Sequence, residues 1–318
     1  SNSLSLNEFP QESSDIHVGT AAYHAERELD TLMYNDSGMY RNQQYGKATT
    51  VILQTMYEEI SILWAQELKY RPNFSIVNDI ANIPVIFAKV SGIKDADVVK
   101  YWQGIKPLLT AETFLIKQVP YINSTDENPF KQYATEFLKN GKVQKSKIKA
   151  HPLYQYGVLR EEIQNHILDK LQLLIDQKSI KGTGENGIEH AIVANVLNLQ
   201  KDLIRMIQKF DFTKMNPKII YINTTETPIS FEDSILMAFL NLVGFDIVFF
   251  VPTGYQSIEK FFNKKLMEEH QVGEYVYDLQ VPDFNSISAA KGNRSSWRDK
   301  IFKKWDLILV EPILNSNR

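Results

Sequence analysis

Two short polar loops carry residue types suited to holding a phosphorylated or polyhydroxylated ligand. The first is Asn223-Thr224-Thr225-Glu226-Thr227-Pro228. It follows the apolar run KIIYIN and leads into Ser230-Phe231-Glu232-Asp233, a helix-capping sequence. Hydroxyls and free amides at a helix start can receive phosphate or sugar oxygens, and the helix dipole favours negative charge there. Asn223, Thr224 and Thr225 are candidate ligand contacts. Glu226 is the candidate catalytic residue, as a base or as an acceptor for ribose hydroxyls. The second loop is Pro252-Thr253-Gly254-Tyr255-Gln256. Here Thr253 offers a hydroxyl, Gly254 permits close backbone approach, and Tyr255 could stack on a base or sugar. Ligands of open α/β sheets sit outside the carboxyl ends of the strands, so the two loops fall on one sheet edge. Polar loops that only feed helix caps would account for the same residues.

Other candidates are more diffuse. Arg160, in HPLYQYGVLREE, could clamp a phosphate with its forked guanidinium, or simply pair with Glu161 and Glu162 on a surface helix. Lys139, Lys142, Lys145, Lys147, Lys149 and His151 form a basic cluster without the aromatic interleaving of a nucleic-acid surface, and a solvated loop is the simpler reading. Gly182-Thr183-Gly184-Glu185-Asn186-Gly187 matches the dinucleotide fingerprint, but a helix rather than a strand precedes it, so the phosphate-aiming geometry is missing. The six histidines, His17, His24, His151, His166, His190 and His270, form no metal-binding spacing. The absence of cysteine removes thiolate metal sites and a thiol nucleophile together. No pattern identifies a cofactor.

The elements that must position these loops follow from periodicity. The 318 residues have ordinary globular composition, 43% hydrophobic and 23% charged, with a net charge of −3 that gives no reason to seek a polyanion partner. Residues 213–318 read as strand–helix–strand–helix–strand over Lys218–Asn223, Phe231–Val243, Asp246–Val251, Tyr255–Met267 and Glu274–Leu279. That alternation predicts a Rossmann-like parallel sheet with right-handed crossovers. Residues 123–212 read as a large helical region, with long helices near 158–177 and 188–210. Residues 49–122 read as a small α+β region, opened by a helix over about 50–69 and including strands near 74–77, 85–90 and 113–118. Residues 1–48 read as an arm, or as the end of an upstream α/β domain. A weak repeat supports the latter: Val18-Gly19 and Tyr23 echo Val272-Gly273 and Tyr277, and Tyr40-Arg41-Asn42 echoes Trp297-Arg298-Asp299. The start Ser1-Asn2-Ser3 reads as a tag scar on part of a longer chain. The apolar stretch 234–252 approaches the length of a membrane span, but Gly244 and the β-branched FDIVFFV divide it into a buried helix and a buried strand.

The runs TVILQTMYEEISILWAQELKYRPNF, NIPVIFAKVSG, YGVLREE and IIYINTTETPIS…FDIVFFVPTGY resemble the bacterial YceG-like proteins of tellurite-resistance stress clusters. The resemblance covers nearly all of the chain, as the C-terminal part of a longer protein. It implies a cytoplasmic component of a stress-linked "biosynthetic module", with other proteins of the same operon as partners, and carries over no catalytic residue. With the loops, it leads to the expectation of a protein binding a nucleotide or sugar phosphate, transferase-like if an enzyme. The alternative is a non-catalytic assembly subunit, favoured by the lack of any recognised catalytic motif. Direct tellurite chemistry is the weakest option, since no thiol is present.

Overall fold

The structure, a computed structural model, describes residues 45–288. Ten strands and eight α-helices are present among them. In chain order these are β1 (Lys47–Ile52), α1 (Tyr57–Trp64), β2 (Ser75–Val77), β3 (Ile80–Val85), β4 (Phe87–Ser91), α2 (Val98–Ile105) and β5 (Thr113–Ile116). Next come α3 (Ala134–Phe137), β6 (Leu138–Lys139), β7 (Lys142–Val143), α4 (Lys145–Ala150), α5 (Glu161–Asp176), α6 (Ile188–Leu197) and α7 (Lys201–Gln208). The chain then forms β8 (Lys218–Ile222), α8 (Phe231–Val243), β9 (Asp246–Val251) and β10 (Glu268–Gln271).

The central layer is a five-stranded, all-parallel sheet in the order β10-β4-β9-β8-β5. This is the Rossmann-like α/β architecture the alternating pattern predicts. It reaches further back than residue 213, since β4 and β5 come from the region before the helices. The pairing is non-local, and no local periodicity announces which strands will meet. One sheet face carries α5, α6 and α8, whose apolar residues join Phe87, Ile219, Tyr221, Ile247 and Phe249 in the larger core. The other carries α1 and α2 over Ala88, Val90, Ile220, Ile222, Val248 and Phe250. The central strands are buried on both faces, which is why β8 and β9 read as continuous apolar runs rather than alternating ones. A second sheet, β1-β3-β2, joins the first through β3 and β4, separated only by Ile86.

Several elements depart from the sequence expectation, each for a local reason. Residues 47–52 form β1 because Thr49-Thr50-Val51-Ile52 is a β-branched run that resists helix, so the helix is confined to Tyr57–Trp64. The helix expected over 188–210 breaks at Asn198-Leu199-Gln200 into α6 and α7. Within the region expected to be helical, residues 129–137 form a 3-10 turn and the short α3, and Asn140-Gly141 turns the β6–β7 hairpin. Residues 255–267 hold only a 3-10 turn, Ile258–Phe261. The last strand is the polar edge strand EEHQ, not EYVYDL. Helix α8 and strand β9 fall where expected, with Ser230 Oγ accepting the Asp233 amide at 3.0 Å and Gly244 closing the helix. Among the described residues no helix is long and apolar enough to cross a membrane. Residues 1–44 of the arm, with the first copy of the repeat, and Trp297-Arg298-Asp299 lie outside the described residues.

The strand starts are tied by a buried ion cluster. Asp246 opens β9 and receives Arg71 through Nη1 at 2.8 Å and Nη2 at 2.6 Å, Lys218 Nζ at 2.7 Å, and the Ile86 amide at 2.9 Å. All three charged side chains are fully buried. Arg71 also donates to the carbonyls of Leu63 and Pro84, so one guanidinium links α1, β3 and β9.

Candidate functional site

The carboxyl edge of the parallel sheet is where the two predicted loops emerge, side by side from β8 and β9. Asn223 is buried, and its amide donates to the Phe250 carbonyl at 3.0 Å. Its side chain works inside the loop: Oδ1 accepts from the Thr225 amide at 3.2 Å and Nδ2 donates to the Thr227 carbonyl at 3.1 Å. Thr225 Oγ1 donates to Thr227 Oγ1 at 2.8 Å. The first loop is therefore a self-braced turn. Thr224 is buried, while Thr225 and Glu226 are exposed at its tip. The loops are joined by the Ile229 amide, which donates to Ser257 Oγ at 2.6 Å.

In the second loop, Thr253 is buried and its Oγ1 accepts the Tyr255 amide at 3.2 Å. Gly254 has φ +68, and a Cβ there would lie 2.4 Å from the Tyr275 ring. The close approach that Gly254 permits is thus made by the chain's own Tyr275. Beneath the loop, buried Lys89 of β4 donates to the Tyr255 carbonyl at 2.9 Å and pairs with Glu259. Sequence reasoning missed Lys89. A lysine in the middle of FAKVS breaks the apolar pattern, and that interruption is the signal that could have flagged it.

A strap formed by residues 272–276 crosses this edge. The Val272 amide donates to the Ser91 carbonyl at 2.9 Å, Ile93 to Glu274 at 2.8 Å and Val276 to Pro252 at 2.9 Å. Gly92 and Gly273 let two backbones touch: a Cβ on Gly92 would lie 2.3 Å from the Gly273 carbonyl oxygen, and one on Gly273 would lie 2.1 Å from that of Ile93. The crossover after β4 uses one sheet face and that after β9 the other, so the gap between these neighbours is the topological switch point, where open α/β sheets usually receive ligands. The strap fills it.

Arg160 is not part of this edge. It caps α5, and six residues on His166 Nε2 bonds the Val243 carbonyl at 2.8 Å, at the end of α8 beside the strand starts. The 13 residues of α8 span about 20 Å between that end and the loops. The lysine cluster is also remote: Lys145 pairs with Asp169, Lys149 reaches Glu161 at 2.6 Å, and the His151 ring packs on Tyr133. The glycine-rich segment joins α5 to α6, and Gly187 caps α6 in the left-handed region, as a helix–helix connection requires. Among the described residues no cluster of His, Asp and Glu is arranged to hold a metal ion.

A partly enclosed crevice was not foreseen. It opens beyond β5, between the 121–131 loop, the α6–α7 break and the first turn of α8, with a volume of about 170 Å³. Asn123, Asp126, Glu127, Asn128, Lys131, Asn195, Asn198, Gln200 and Glu232 supply its polar lining, with three carboxylates against one lysine. Asp233 fixes the wall: its carboxylate accepts the Tyr121 and Ile122 amides at 2.8 and 2.7 Å and the Tyr221 hydroxyl at 2.5 Å. Burial raises the Asp233 carboxyl above the ordinary range, against the pull of these donors. Burial likewise pushes the Tyr221 phenol well above its usual value, as does the neighbouring Asp233 charge. Ser124 Oγ donates to Glu232 at 2.8 Å, and the buried Tyr121 hydroxyl has no partner among the described residues. These residues are scattered from 121 to 236, so no motif marks them.

A family model described as "YceG domain" matches residues 54–296. A Bacillus subtilis (strain 168) protein described as "Uncharacterized protein YceG" is 26% identical over 280 residues, covering 86% of this chain and 52% of that protein. The chain thus spans about half the length of this curated relative. No solved structure matches. The matched domain includes every strand of the parallel sheet and both crevice-forming loops, and the chain belongs to the YceG domain family.

Proposed function

We propose that the protein binds a nucleotide- or sugar-phosphate-type ligand at the carboxyl edge of its parallel sheet, in the crevice beside the Asn223–Pro228 loop. The observation that carries this reading is the lining of that crevice. Asn123, Asn198 and Gln200 present amides that both donate and accept, which suits vicinal hydroxyls. Lys131 supplies the cation in this lining for a phosphate, while Asp126, Glu127 and Glu232 are acceptors suited to sugar hydroxyls, so the sugar part of the ligand carries most of the fit. A transferase role belongs to the same proposal, with Glu226 or Glu232 as the carboxylate that takes a proton. Service in a tellurite- or oxidative-stress module rests on the resemblance of the motif runs alone. Thermal-shift and calorimetric titration with nucleotides, sugar phosphates and nucleotide sugars test the reading. Binding that weakens about tenfold in Asn198→Ala and Lys131→Ala supports it, one lost contact to a charged group being worth about that much. No heat of binding from any of these compounds overturns it.

A second reading, as an assembly subunit, is favoured by one feature. Tyr70, Ile76 and Val77 are exposed, the last two on β2, which is an edge strand among the described residues and whose outer side can pair with another chain. A stable complex with an operon neighbour that Val77→Asp abolishes and Asn198→Ala leaves intact would favour this role.

A further inference from the structure

The lining of the crevice beyond β5 keeps more hydrogen-bond acceptors than donors once its internal bonds are counted. Asn195 of α6 lines it, is 7% exposed, and donates through Nδ2 to the Ala191 carbonyl at 2.8 Å. That bond orients the amide and leaves Oδ1 without a partner among the described residues. A buried amide oxygen on a crevice wall is completed by water or by a ligand donor. Asp126 spends one oxygen on the Asn123 amide at 2.9 Å, and Glu232 one on the Ser124 hydroxyl at 2.8 Å, so each keeps a second. Glu127 is exposed and has no partner among the described residues. Asn128 offers nothing to a ligand, since its Oδ1 accepts the Phe130 amide and its Nδ2 donates to the Ala194 carbonyl, both at 3.0 Å. Among the described residues Lys131 is the one cation in the lining, and it is exposed.

A phosphate brings only acceptors and negative charge to such a lining. A hydroxyl brings one donor. A protonated primary amine brings three donors, no acceptor and a positive charge, and three carboxylates against one lysine leave two negative charges for it to meet. The amides of Asn123, Asn198 and Gln200, which donate and accept, suit ring hydroxyls beside it. The volume, about 170 Å³, lies below the range of about 300–1,000 Å³ that takes drug-sized ligands, so one sugar ring fits and a whole nucleotide sugar does not. Resting on the reading of this crevice as the ligand site, we infer that the group seated in it is an amino sugar with a free, protonated amine. Asn195 Oδ1 and the carboxylates of Asp126, Glu127 and Glu232 are the acceptors for that amine, and a phosphate on the same ligand stays at the rim with Lys131.

The test is calorimetric titration of the whole chain at a pH where the amines are protonated. The probes are glucosamine, glucose, N-acetylglucosamine, glucosamine 6-phosphate, glucose 6-phosphate and putrescine. Glucosamine should bind at least about tenfold more tightly than glucose or N-acetylglucosamine, the margin of one hydrogen bond to a charged group. The same margin should separate the two phosphates. Glu127→Gln with Glu232→Gln should remove most of that margin, with a thermal melt confirming the fold. Asn195→Leu should weaken glucosamine about tenfold; if that variant melts early, the carboxylate pair still decides. Lys131→Ala should weaken glucosamine 6-phosphate and not glucosamine. A second crevice, of about 500 Å³, opens where α1 begins beside the end of β10, and Glu58→Gln in its lining should change nothing. Glucose or N-acetylglucosamine binding as tightly as glucosamine, putrescine binding more tightly than glucosamine, or a margin intact in the carboxylate pair overturns the amino-sugar assignment. Sugar phosphates or nucleotides that bind with no preference for the amine overturn it too, and leave the phosphate-ligand reading standing. If no sugar, sugar phosphate or nucleotide binds, both fall.

Discussion

Replacing Asp246 by Asn tests the ion cluster that ties the strand starts. The substitution keeps shape and one acceptor for the Ile86 amide, but removes the buried negative charge bonded to both Arg71 and Lys218. A cluster of net charge +1 becomes one of +2 inside a fully buried site. Two responses are open. Burial already pushes Lys218 down to about 8, with Asp246 the main influence holding it up, so without Asp246 the lysine sheds its proton near neutral pH. Arg71 cannot do the same. The residual cost is that of one uncompensated buried guanidinium with weakened bonds, about 3–5 kcal/mol. For a chain of this size each kcal/mol moves the melting temperature by about 2–4 °C, so a fall of about 6–20 °C is expected by calorimetry at pH 7. Acid titration provides a second readout. Desolvation favours the neutral carboxyl, but Arg71 and then Lys218 outweigh it and hold Asp246 well below the ordinary range. Its contribution is therefore complete above about pH 4, the unfolded value, and is lost as pH falls further. The Asn variant lacks that part of the acid limb. A shift under about 2 °C, or an acid limb identical to wild type, would refute the account of Asp246 as the hub.

Three further outcomes follow from the same structure. Burial holds His166 neutral and pushes it down to about 4, despite its bond to the Val243 carbonyl. The unfolded chain takes up that proton first, so stability is complete above about pH 6.5 and about 3 kcal/mol is lost as pH falls towards 4; urea titrations of His166→Gln should lack this slope, save the part from His270, also pushed down by burial. Gly254→Ala must place a Cβ in the left-handed region and against the Tyr275 ring, costing about 1–2 kcal/mol for the backbone alone; adding Tyr275→Ala should recover the contact part and not the backbone part, as read by thermal melts. Tyr221→Phe removes one of the donors to Asp233 and should cost about 1.5–3 kcal/mol, with faster hydrogen exchange at the Tyr121 and Ile122 amides as the local sign.

The parts of the fold that were legible in the sequence are those whose burial is complete. Strands β8 and β9 and helix α8 show as apolar runs with their punctuation, Ser230 at one end and Gly244 between. Strand β10 was not legible because an edge strand buries little, and EEHQ carries no apolar signal. The aromatic run EYVYDL looked like the strand because its residues line the strap that crosses the edge, where alternation serves packing against Gly254 rather than pairing. The same limit applies to the site. Loop residues after β8 and β9 could be placed on one edge from topology alone, but the partners that consume their hydrogen-bonding capacity could not. Asn223 reads as a ligand group and works as a turn brace. The crevice beyond β5 draws on loop, helix break and helix start, over a hundred residues apart in sequence, and only the parallel pairing of β5 with β8 brings them together.

That pairing, with the strap, determines where open space lies along the carboxyl edge. In an open parallel sheet the widest crevice lies where successive crossovers leave on opposite faces, here between β4 and β9. Residues 272–276 lie across that gap with backbone hydrogen bonds to both strands, and the Gly92–Gly273 contact leaves no room for even a methyl group. The centre of the edge is therefore protein. Space remains at the two flanks, beyond β5 and beside β10, where the two crevices lie. Their linings diverge as their positions do. The β5 flank is walled by the buried Asp233 network and lined by amides and carboxylates, whereas the β10 flank is rimmed by Glu58 and Lys94, with the Thr55 hydroxyl and His270 Nε2 buried beneath it. The strap therefore separates two crevices of unlike lining on one sheet edge, and neither opens into the centre between β4 and β9.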